Sequence, residues 1–163
     1  MIRKDSFAVK FDLFIKSIPW WLFIIVGNAM IFVLNYFFSE TGFAEEQVSS
    51  IPDSDIWISG LFFAPLLETL FVQLVPIEIC LAVCNEIFSK RLPFVSLFIS
   101  ASLFALGHGY NVNFIIFTFC TGIILAAGYL IFRRQKHFGF GFLITCLLHF
   151  MVNLTSIVFN TYL

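Results

Sequence analysis

Charge is what this sequence has least of. Asp, Glu, Lys and Arg make up 12% of its 163 residues, about half the roughly 25% of an ordinary soluble domain. Hydrophobic residues make up 60% and mean hydropathy is +0.98, more apolar surface than a water-soluble fold can hide. Neither sign of charge is in excess, the net being −1. That excludes the basic field of a nucleic-acid binder and the acidic tail of a protein that captures basic partners. No C-x-x-C pair occurs. Cys80, Cys84, Cys120 and Cys146 all lie in apolar runs and read as small buried hydrophobes. Internal repeats, low-complexity stretches and a soluble domain of useful size are also missing. The lipid bilayer is therefore the first partner implied.

What is present is a succession of long apolar runs. The first, residues 17–38, follows Arg3, Lys4, Lys10 and Lys16. It exceeds the roughly 7 to 15 residues of a signal-peptide core and no A-x-A-like site follows, so it reads as a retained anchor helix. Four further spans are expected at 56–84, 93–109, 113–132 and 139–159, each at or near the roughly 20 residues that cross a hydrocarbon core. The second is long, with a kink expected at Pro76, and the third sits at the lower limit of length. The expected fold is all-α, a polytopic transmembrane bundle of about five spans. It divides into residues 1–55 (tail, anchor helix and acidic loop) and a core over 56–163. Gly122 with Ala126, and Ala101 with Ala105, are small residues four apart that let helices approach closely.

The connecting segments separate by charge. All nine basic residues fall in the N-terminal tail, the second loop (Lys90, Arg91) and the fourth (Arg133, Arg134, Lys136), whereas the first loop carries Glu40, Glu45, Glu46, Asp53 and Asp55 without a Lys or Arg. In a five-span chain the three basic segments share one side. By the positive-inside rule that side, with the N-terminus, is cytoplasmic. Losing or adding a span would scatter the basic residues over both faces.

Ionisable residues inside such runs are costly, by at least about 2.5 kcal/mol for an ionised group at mid-bilayer, and mark chemistry or pairing. Glu68 lies twelve residues into the second span, about 18 Å along a helix. His108 lies near the end of the third span, and His149 lies near the middle of the fifth with Asn153 one turn later on the same face. Each alone has a structural reading. A lone buried His usually holds a hydrogen bond, and a lone Glu can be neutral against a backbone carbonyl. Together, two of three histidines with a carboxylate and a carboxamide form a sufficient set for activating water and stabilising an oxyanion. Glu and two His are also legitimate zinc ligands, so a metal site stands beside the metal-free reading, with no cofactor required by spacing. A bis-histidine haem or metal protein would leave Glu68 and Asn153 unexplained. His137 reads as a solvated loop residue, and Glu78 as structural, bonded to Asn85 or paired with Lys90.

The order Ala64-Pro65-Leu66-Leu67-Glu68, then Phe104-x-x-x-His108, then His149-x-x-x-Asn153 resembles the CPBP family of intramembrane proteases, which includes type II CAAX prenyl endopeptidases and bacteriocin-processing or immunity proteins. The resemblance runs from about residue 60 to residue 160 and includes Gly122 and the Gly128-Tyr129 pair. It implies an intramembrane endopeptidase, glutamic or metallo in type, cutting a membrane-associated peptide or protein. In that reading Glu68 is the general base, His108 its assistant, and His149 with Asn153 the oxyanion hole. Thr69 and Gln73 stand where the family pattern has a second glutamate and an arginine. With Phe104 they are the expected supporting residues, a charged pair having become a neutral hydrogen-bonding one. The alternative implied by the same departure is a non-catalytic immunity or interaction protein on this fold.

Overall fold

The computed structural model describes residues 13–39, 56–83, 92–108 and 111–162. Among them no strand occurs, and five helical rods account for nearly all of the described residues. They are α1 (Trp20–Ser39), α2 (56–83), α3 (Leu92–Gly107), α4 (Val112–Gln135) and α5 (Phe138–Tyr162). Four of these rods, all but α3, are long and apolar enough to cross a membrane. The protein is thus a polytopic helical membrane protein, as the apolar runs require. At 16 residues, α3 is about 24 Å long, short of a hydrocarbon core of about 30 Å. Its C-terminal residue therefore falls inside the bundle's depth instead of at its rim.

Short connections make α4 antiparallel to both α3 and α5. Contacts fix the other two rods. Glu78 near the end of α2 meets Arg133 at the end of α4, and Gln135 there reaches the carbonyls of Ile15 and Ile18 just ahead of α1. The bundle consequently has one end at which α1, α3 and α5 begin and α2 and α4 finish. The described basic residues Lys16, Arg133, Arg134 and Lys136 all belong to that end.

One expectation is corrected there, and the structural reading of Glu78 gains a partner. Arg133 and Arg134 lie in the last turn of α4 rather than in a loop, where cations complement the negative end of the helix dipole. Glu78 is anchored by a bidentate contact with Arg133 and a 2.6 Å hydrogen bond from the Tyr129 hydroxyl, because α4 brings a guanidinium directly alongside α2. Asn85 and Lys90, its expected partners, lie outside the described residues, as do Cys84 and the acidic loop of 40–55. His137 is exposed, as expected, and its Nδ1 accepts the Phe140 amide in the first turn of α5.

Small residues set the packing distances. A Cβ on Gly122 would stand 3.0 Å from the Ala101 Cα, so α3 and α4 meet nearly backbone to backbone at the expected place. Proline shapes α2. Its winding is wide, of the five-residue π type, over Ile56–Phe63 and Thr69–Leu74, with α-helical turns at Ala64–Glu68 and Val75–Val83. Single π turns frequently mark functional sites. At five-residue spacing the amide that would meet the Gly60 carbonyl belongs to Pro65, and at four-residue spacing the amide for Val72 belongs to Pro76. Neither amide exists. Both carbonyls are taken by side chains of other helices: Asn153 of α5 donates to Gly60 at 2.8 Å and Ser100 of α3 to Val72 at 2.7 Å. Ahead of Pro19 the Ile15 carbonyl keeps a 3.4 Å contact from the Ile18 amide and takes a closer donor, the Gln135 carboxamide at 2.9 Å. In lipid, with no water to satisfy freed backbone groups, such replacements are obligatory.

Candidate active site

Three rods carry the polar residues that the sequence singles out, and the fold brings Glu68, His108 and His149 together. Glu68 ends the α-helical turn between the two wide stretches of α2, about 20 Å from the basic end. His108 follows α3 at about 24 Å and His149 lies in α5 at about 17 Å. Their depths match because α3 stops early. The Nε2 atoms of His108 and His149 each stand 3.6 Å from Glu68 Oε2. That oxygen is enclosed and has no hydrogen-bond partner among the described residues. A separation of 3.6 Å is too long for a direct hydrogen bond and short enough for one water to touch both partners.

The two imidazoles are held differently. His108 Nδ1 lies 2.8 Å from the Phe104 carbonyl, which only accepts, so Nδ1 carries the proton and neutral His108 presents a bare Nε2 to Glu68. Two lone pairs do not face each other stably, so the pair calls for a shared proton or a water beside it that donates to both. His149 Nδ1 lies 3.5 Å from the Thr69 hydroxyl. Its side chain is 4% exposed, against 27% for His108 and 29% for Glu68. The centre is therefore open on the α3 side and closed on the α5 side. Phe104, itself buried, packs against both rings with centroids 4.6 Å from His108 and 5.6 Å from His149, and so fixes their mutual orientation.

Thr69 and Gln73 are fully buried but do not bond each other. Thr69 faces His149, while Gln73 Oε1 lies 2.5 Å from the Ser100 hydroxyl. The expected neutral pair is thus split between two neighbours, His149 of α5 and Ser100 of α3. Asn153 stands one turn after His149 and uses one N–H on the Gly60 carbonyl, which leaves its second N–H and its carbonyl oxygen for other partners. Ser100 carries no signal in its own spacing. Pro76 is the signal that points to it, since a proline within a membrane helix leaves a carbonyl that some donor must reach. No group of three or more His, Cys, Asp or Glu among the described residues is arranged to hold a metal ion.

A carboxylate and two imidazoles, delivered by three separate helices into an apolar bundle, define the class as a polytopic membrane protein with a buried Glu/His centre. The family model described as type II CAAX prenyl endopeptidase Rce1-like matches residues 53–155, a stretch that holds Glu68, His108, His149 and Asn153. The chain belongs to that family, whose character is that of a membrane-embedded CAAX-type protease. Comparison with curated proteins and with solved structures gives no match.

Proposed function

We propose that this protein is an intramembrane endopeptidase in which Glu68 activates water against a peptide bond of a membrane-associated peptide or protein. The observation that carries the reading is the enclosed Glu68 Oε2, 3.6 Å from two imidazole nitrogens on two other helices. A water between these atoms gives up its proton to Glu68, with the bare Nε2 of His108 orienting it, while the water oxygen attacks the scissile carbonyl carbon. The oxyanion that forms accepts hydrogen bonds from His149 Nε2–H and from the free N–H of Asn153. Collapse breaks the C–N bond, and the proton held by Glu68 passes to the leaving amine. One water is consumed, yielding a carboxylate and an amine. The greater exposure of Glu68 and His108 favours entry of water and substrate from the α3 side.

Purified protein and Glu68→Gln, at equal folded concentration in detergent, are compared on a farnesylated peptide ending in a CAAX sequence and on its unprenylated counterpart. Glu68→Gln preserves volume and removes the base, so cleavage is expected to vanish with the carboxylate. Equal cleavage by both proteins eliminates the glutamate-base mechanism. Cleavage by neither, over a broad peptide set, supports a non-catalytic immunity or interaction protein on this fold, the reading that the replacements at Thr69 and Gln73 favour.

A further inference from the structure

Ser100 is fully buried in α3, eight residues before His108. Its hydroxyl oxygen stands 2.7 Å from the Val72 carbonyl and 2.5 Å from Gln73 Oε1. Val72 lies four residues after Glu68, and the backbone amide that would meet its carbonyl in an α-helix is missing because residue 76 is proline. Ser100 therefore takes the place of a backbone donor in another helix. A staple of this kind locks the register between the helix that carries Glu68 and the helix that carries His108. It acts within the wide-turned stretch Thr69–Leu74, where the winding alone holds α2 least firmly.

Gln73 completes the arrangement. A single hydroxyl proton serves one acceptor at a time, and Gln73 Nε2 is buried without a partner among the described residues. Rotating the carboxamide end for end presents Nε2 to Ser100 Oγ. The amide then donates to the hydroxyl and the hydroxyl to Val72, so that Gln73 fixes the direction in which Ser100 donates.

We propose that Ser100 is a positioning residue that replaces the amide lost at Pro76 and thereby sets Glu68 against the two imidazoles. The inference rests on the reading of Glu68, His108 and His149 as the reacting centre, but its test does not require a substrate. Two readouts are taken on wild type, Ser100→Ala, Pro76→Ala and the double variant in detergent micelles. The first is the unfolding midpoint. Ser100→Ala is expected to lower it by about 2 to 4 °C. In the Pro76→Ala background residue 76 again donates to Val72, so the same substitution is expected to lower the midpoint by no more than half as much. An equal drop in both backgrounds overturns the replacement of the missing amide.

The second readout is the ring ¹⁵N resonances of the three histidines, with exposed His137 as internal reference. If Ser100 positions Glu68, the His108 and His149 signals shift in Ser100→Ala and return toward wild type in the double variant, while His137 stays fixed. Unmoved His108 and His149 signals in Ser100→Ala reduce Ser100 to a packing contact and overturn the positioning role. Failure of wild type to cleave any peptide leaves both measurements intact, so the staple and the proposed protease activity fail separately.

Discussion

Thr69 shows how much a single position in this chain can change without removing the centre. The family pattern has a carboxylate here, and this protein has a fully buried hydroxyl 3.5 Å from His149 Nδ1. A hydroxyl cannot act as a base at neutral pH, but it can orient the ring whose other nitrogen faces Glu68. Thr69→Val is volume-conserving except for the hydroxyl and removes one neutral hydrogen bond, worth about 0.5 to 1.5 kcal/mol. Peptide turnover is expected to fall by no more than about tenfold, with the protein still folded. Complete loss in a folded variant would move Thr69 from support to chemistry. Glu68, His108 and His149 were legible from sequence because an ionisable group in a hydrophobic run has no inexpensive explanation. Ser100 was not, since a serine in a membrane helix usually bonds its own backbone, as Thr145 does to Gly141 and Thr155 to Met151. The Gly60 carbonyl was equally hidden. It became an acceptor only through the five-residue winding, which no residue type announces.

At the scale of elements, three prolines each leave a carbonyl that a neighbouring helix supplies with a donor, and together the three donors tie α4 to the entry of α1, α5 to α2, and α3 to α2. Polar residues thus serve as the bundle's directional contacts, and small residues set its distances. The expected spans at 17–38, 56–84, 93–109, 113–132 and 139–159 lie close to the observed rods, because apolar length and charge punctuation are properties of local sequence. Winding is not local: the wide turns of α2 depend on donors in other helices, 93 residues away in α5 and 28 away in α3. Gly141 gives the sharpest test of the close contacts. A Cβ there would stand 2.7 Å from the Tyr129 carbonyl oxygen and 2.9 Å from the Arg133 amide nitrogen, both of them backbone atoms that cannot rotate away. Gly141→Ala is expected to push α5 from α4 and to destabilise the protein by about 1 to 3 kcal/mol, read as a lowered unfolding midpoint in detergent. An unchanged midpoint would show that the crossing of α4 and α5 has slack.

For the whole molecule, the described basic residues all at one end and the Glu/His centre toward the other give the bundle a polarity along the membrane normal. The rods do not form a wall of even height. Beside four rods that reach across, α3 ends about 6 Å short of a typical hydrocarbon core, and its last residue stands next to the partly open Glu68 and His108. A bilayer seated on this outline must thin over a notch, tilt the short rod, or let water descend to its end. Bilayer thickness therefore becomes a control on the chemistry: a thin membrane leaves the notch wet, and a thick one fills it with acyl chain. Cleavage in nanodiscs of increasing lipid chain length is expected to slow while the unfolding midpoint holds, and a rate indifferent to chain length would mean that water reaches Glu68 by some other path.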